Sequence, residues 1–101
     1  MRFLMIAKAP HKEFNAAVKD GTAGAKLKKI LGAIKPEAAY FTSINGLRTA
    51  VLIVDMPDAS KMPALAEPWF LTFSGDVEFY PVMTAADLAK GGLKALGKQW
   101  A

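Results

Sequence analysis

The sequence predicts an α+β fold: a four-stranded antiparallel sheet with helices on one face, in the order strand, helix, strand, strand, helix, strand, plus a C-terminal helix. Three observations carry this. Two strand-like runs between Ala38 and Met56 are joined by Asn45-Gly46, a strong hairpin signal because a type I′ turn needs two residues that tolerate positive φ. Helically spaced apolar residues separate those runs from apolar stretches at residues 2–8 and 77–83. Finally, both faces of the hairpin are apolar. With Asn45-Gly46 at the turn, Ile44 opposes Leu47, Thr42 opposes Thr49, Tyr40 opposes Val51 and Ala38 opposes Ile53, while Ala39, Phe41, Ala50, Leu52 and Val54 line the other side. A sheet apolar on both sides needs cover on both, and 101 residues supply helices enough for one. The open face is expected to meet a second subunit in a homodimer; register alone does not say which face that is.

The first strand, residues 2–8, ends near Pro10. A helix starts at about His11 with Phe14, Ala17 and Val18 inward, but its stripe is out of phase with Leu27, Ile30, Leu31 and Ile34, so a break is expected at Asp20-Gly21-Thr22, with Thr22 as N-cap. Lys35-Pro36 ends the second piece, and the hairpin follows. Asp58 or Ser60 can cap the next helix, with Pro63 in its first turn, where a missing N–H costs nothing. Met62, Leu65, Ala66, Trp69, Phe70 and Phe73 carry its stripe past Pro68, where a kink is expected. Gly75-Asp76 turns into a strand from Val77 to Met83, and Pro81 assigns it to a sheet edge or a strand end. Thr84-Ala85-Ala86-Asp87 opens the last helix as a capping box; Gly91-Gly92 weakens it before its end near Trp100.

The length fits one domain over residues 1–101. Although 52% of the residues are hydrophobic, no segment approaches the roughly 20 apolar residues of a membrane span. The apolar run at the start is too short for a signal peptide, so a soluble, cytoplasmic protein is expected, without membrane association. With no cysteine, disulfides, thiol nucleophiles and thiolate metal sites are excluded. The formal charge of +4 gathers at Lys19, Lys26, Lys28, Lys29 and Lys35, which could attract phosphates. Apolar residues at helical spacing between those lysines favour a solvated helix face instead.

The strand that opens at Met1, the Asn45-Gly46 hairpin, and the aromatic helix end Glu67-Pro68-Trp69-Phe70-Leu71-Thr72-Phe73 before Val77-Glu78-Phe79-Tyr80-Pro81-Val82 give the chain its resemblance to a known group. Through Met83 it resembles the ferredoxin-like dimeric α+β barrel superfamily, and it is most similar to small bacterial members of unassigned function. The resemblance implies two subunits packed through their bare sheet faces. The superfamily includes cofactor-independent monooxygenases acting on polycyclic aromatics, muconolactone-type isomerases, haem-degrading enzymes and members without established activity, so it leaves the reaction open. The haem-degrading members use an Asn, a Trp and a His around the porphyrin. Trp69 could match the tryptophan, but the first strand has no asparagine and the lone histidine, His11, starts the first helix. No cofactor and no metal site are therefore expected. The same element order underlies the RNA-recognition motif, yet Leu47-Arg48-Thr49-Ala50-Val51-Leu52-Ile53 has aliphatics where stacking rings belong, so no nucleic-acid partner is expected.

Four residues are candidates for a ligand site: Tyr40, Arg48, Trp69 and Tyr80. Arg48 is a charge on an otherwise apolar strand face, so it pairs either with Glu78 or with a ligand carboxylate or enolate. Tyr40 and Tyr80 offer hydroxyls to a ligand or to the fold. Trp69 and Phe73 either line an aromatic cleft between helix and sheet or serve as core. The expected function is binding of a small hydrophobic or aromatic molecule, extending to cofactor-independent monooxygenase-like or isomerase-like catalysis with no catalytic residue assigned. The alternative is a non-catalytic dimeric module.

Overall fold

The computed structural model describes residues 1–101. Strand β1 (Arg2–Ala9) leads into helices α1 (His11–Asp20) and α2 (Ala23–Ile34), and the hairpin of β2 (Ala38–Ile44) and β3 (Leu47–Asp55) follows. A 3-10 turn at Ala59–Lys61 precedes α3 (Met62–Phe73), β4 (Asp76–Pro81) and two short helices, α4 (Ala85–Ala89) and α5 (Leu93–Gln99). The strands form one antiparallel sheet in the order β2-β3-β1-β4. It is an open sheet, not a closed barrel, and β4 lies at its edge as Pro81 requires.

Asn45 and Gly46 adopt φ of 53° and 76°, and the hairpin register follows from that turn, pairing Ile44 with Leu47 through Ala38 with Ile53. Gly21 breaks the first helix with φ 81°, a conformation open to glycine at no steric cost. Thr22 stands at the N-cap of α2, as the sequence reading expects, but its side chain makes no capping hydrogen bond. The Asp20 carboxylate takes its N–H at 2.9 Å and its hydroxyl at 2.6 Å instead, because Thr22 keeps helical dihedrals that turn its oxygen away from the helix start. Asp58, not Ser60, accepts a capping N–H, at the 3-10 turn ahead of α3, whereas α3 itself starts after Lys61 without a side-chain cap and runs past Pro68 to Phe73. The capping box of Thr84 and Asp87 forms as expected. The single C-terminal helix does not, because Gly92 takes the left-handed conformation (φ 73°) and divides it into α4 and α5.

Pairing register sorts the sheet into two faces. Met5, Ala7 and Ala9 of β1, with Ala50, Leu52 and Val54 of β3, join Ala17, Ile30, Leu65, Trp69 and Phe73 of the helices in one core. The other face carries Leu4, Ile6, Val51, Ile53, Ala38, Tyr40 and Tyr80, and none of these belongs to the core. No helix of the chain is long and apolar enough to cross a membrane.

Candidate functional site

At the hairpin-turn end of the helix-covered face the helices stop short of β2, leaving a cleft of about 280 Å³. Phe14 and Leu27 enter it from α1 and α2, Trp69 from α3, and Phe41, Arg48 and Ala50 from the hairpin. Its size sits near the lower end of small-molecule pockets, about 300 Å³. Most of the lining is apolar, and a few polar groups converge on it.

Phe14 is the first of these walls. It stacks on Phe73 at 4.8 Å between centroids, and Phe73 is wholly buried, so the ring is fixed from below. The Arg48 guanidinium lies over the same ring, 4.8 Å from its centroid, and donates a 2.7 Å hydrogen bond to Asn15 Oδ1. No carboxylate lies within ion-pair distance of Arg48; the three ion pairs are Met1–Asp55, Arg2–Glu37 and Lys8–Glu78. A guanidinium has five N–H donors, and Asn15 uses one. The remaining donors make Arg48 a cation at the cleft with capacity for an anion.

Trp69 forms another wall. It is 4% exposed, and its indole N–H is the one buried side-chain polar group that finds no acceptor in the protein. Leaving such a donor unpaired costs roughly 1–3 kcal/mol, which is why buried indoles usually have a partner. The Trp69 backbone is closely packed: after Ser74 closes α3 in the left-handed conformation, Gly75 donates to the Trp69 carbonyl at 3.2 Å and passes beside the Lys8 carbonyl. A larger groove of about 680 Å³ between α2 and α3, lined by Lys26, Lys29 and Glu67 among others, holds no unpartnered buried polar atom.

Of the four candidates, the structure brings Arg48 and Trp69 together and places both tyrosines elsewhere. Tyr40 and Tyr80 stand on the open sheet face, because Tyr40 pairs with Val51 and Tyr80 with Leu4. The suggested Arg48–Glu78 pair does not form, since the two residues lie on opposite faces of the sheet. Glu78 instead accepts a short hydrogen bond from the Tyr80 hydroxyl and lies 3.6 Å from Lys8 Nζ. That hydroxyl, with Lys8 helping, holds Glu78 below the usual carboxylate range, and the carboxylate in turn pushes Tyr80 up. Phe73 is core, and Trp69 is both core and cleft wall.

Sequence reasoning missed Asn15 and Phe41 and took Phe14 only as an inward helix residue. Asn15 follows Phe14 directly, but nothing in the sequence alone brings it to Arg48, 33 positions away. The lining contains no carboxylate, imidazole, phenol or thiol. The arrangement can therefore clasp a flat apolar body and offer donors to its polar end, with no proton-transfer group of its own.

A family model described as a domain of unknown function (DUF3303) matches residues 1–96. No curated protein matches the chain.

Proposed function

Since the chain belongs to the DUF3303 family, a function has to be argued from its own geometry, and we propose that it is a homodimeric binding protein for a small aromatic acid. One observation carries the reading: Trp69, whose buried indole N–H has no acceptor, and Arg48, which has no carboxylate partner, line the same apolar cleft. A small planar aromatic ring is the shape we assign to the cleft that Phe14, Phe41 and Trp69 bound. Its carboxylate, or an enolate of similar shape, takes the free donors of Arg48, while the ring packs on the apolar lining that includes Trp69. The absence of an acid or base from the lining favours binding over proton transfer. If the site does turn a substrate over, the substrate supplies its own activation, as in the cofactor-independent enzymes of the superfamily that the sequence resembles.

Dimerisation through the open sheet face completes the reading. Leu4, Ile6, Val51 and Ile53 form a contiguous apolar patch across β1 and β3 that no helix of the chain covers, and such patches mark interaction sites. A purely structural dimer is the second reading, favoured by this patch alone.

The test is binding of 2-naphthoate by wild type and Arg48→Ala, measured by calorimetry. A charge-assisted contact of roughly 1.5–3 kcal/mol sets the expected loss of affinity at about 10- to 150-fold. The melting temperature should barely change, because Arg48 is exposed and its one hydrogen-bond partner, Asn15, can turn to water. No binding by wild type across a panel of aromatic acids, together with an Arg48→Ala protein that melts early, would favour the structural dimer.

A further inference from the structure

The chain exposes more surface than a protein of its size should. Its accessible area is 6805 Å², against about 5,500 Å² for a compact monomer of this mass, an excess of roughly 1,300 Å². The radius of gyration is 17.1 Å and the longest dimension 60 Å, where a compact chain of this length has a radius of about 13 Å.

The longest unbroken run of exposed residues is the C-terminal arm. Every residue from Met83 to Ala101 is exposed, and the backbone tie at its root is Val82 N–H to the Arg2 carbonyl, 3.1 Å. The arm is not a polar tail. Leu93, Leu96 and Trp100 share one stripe of α5 and its C-terminus, spaced as the anchors of a helix that lies in a groove, and Trp100 is 79% exposed. Lys94 and Lys98, one turn apart, run beside that stripe. Helices this short are well below the roughly 12–15 residues at which an isolated helix is even marginal in water. An arm built this way needs a surface.

The same chain has an unfilled surface of matching character. A groove of about 400 Å³ between α3 and β4 is lined by Met62, Pro63, Ala66, Phe70 and Phe79 among others, with Glu67 as its one charged residue. The chain's own arm contributes nothing to that lining. We propose that the arm of one subunit lies in the α3–β4 groove of a second copy of this chain, with its leucines and Trp100 against Met62, Phe70 and Phe79 and its lysines beside Glu67. A second copy is the occupant because a two-fold exchange fills both grooves and covers both arms at once. Hiding the excess on both subunits removes roughly 2,600 Å², inside the range of about 2,000–5,000 Å² for obligate homodimers. The inference rests on the homodimer proposed above and adds a clasp to its sheet contact.

Sedimentation velocity over a nanomolar-to-micromolar dilution series tests it with full-length variants. Leu96→Glu and Glu67→Lys should each raise the dimer dissociation constant at least about tenfold, a change of about 1.4 kcal/mol. Combining Glu67→Lys with Lys94→Glu and Lys98→Glu should recover most of the loss. Both starting positions are exposed in the subunit, and circular dichroism of Glu67→Lys verifies folding independently of Leu96→Glu. A wild-type dimer indifferent to both substitutions would overturn the clasp and leave the sheet contact standing. Weakening by Leu96→Glu but not by Glu67→Lys would place the arm outside this groove and overturn the proposal. A wild-type monomer at micromolar concentration would overturn clasp and homodimer together.

Discussion

Side chains that look interchangeable in the sequence separate into two chemistries once the sheet assigns them a face. Arg48 and Trp69 meet in the cleft, whereas Tyr80 binds Glu78 on the other side. Because the folded chain holds Glu78 below its ordinary value, it binds fewer protons than the unfolded chain in the acid range. The stability from that contact is therefore complete above the usual carboxylate range and is lost as pH falls through the lowered value. Tyr80→Phe should melt below wild type at neutral pH, and the gap should close in acid; thermal melts at neutral pH and near pH 3 measure it, and a constant gap would exclude the linkage. Arg48 was legible as an anomaly, a charge among aliphatics. Its contact with Asn15 was not legible, because it depends on how α1 crosses the sheet, which neither propensity nor periodicity encodes.

Elements follow from local signals wherever the signal is a backbone requirement. Asn45-Gly46 determines the hairpin register, and Gly21 stops α1, because few other residues accept those dihedrals. Where two local devices compete, the sequence could not choose: Asp20 captures the Thr22 donors, and Gly92 splits a helix that the apolar spacing alone would continue. Two glycines separate the roles of this residue. A Cβ at Gly75 would meet the Lys8 carbonyl oxygen at 2.9 Å and the Trp69 carbonyl oxygen at 3.4 Å. Gly75→Ala should thus force the backbone apart, destabilise the fold by about 1–3 kcal/mol and weaken binding in the cleft. Gly32, inside α2, has open space where its Cβ would be. Gly32→Ala should stabilise by about 0.5–1 kcal/mol, since glycine is the poorer helix former. Urea denaturation of both variants checks the opposite signs, and stabilisation by Gly75→Ala would refute the close-approach argument.

On the scale of the molecule, the hairpin's two apolar faces were readable from alternation alone, but which one the helices choose was not. The structure resolves it: Leu52 is wholly buried under the helices and Val51 lies on the open side. Val51→Asp should therefore shift a dimer toward monomer or unfold it, since a charge cannot be buried cheaply without a partner. Light scattering reads that shift, and an unchanged dimer would remove the sheet face from the interface. The claim on which the functional account turns is that the assembled protein holds an aromatic acid between Phe14, Arg48 and Trp69. The indole N–H of Trp69 reports on it directly, and exposed Trp100 supplies an internal reference in the same spectrum. In a proton–nitrogen correlation titration with 2-naphthoate and related aromatic acids, the Trp69 indole resonance should shift and saturate as an aromatic ring packs beside it, with Arg48→Ala moving the midpoint to higher concentration. A Trp69 resonance that stays in place across the whole panel, in a protein that remains folded, would contradict the account.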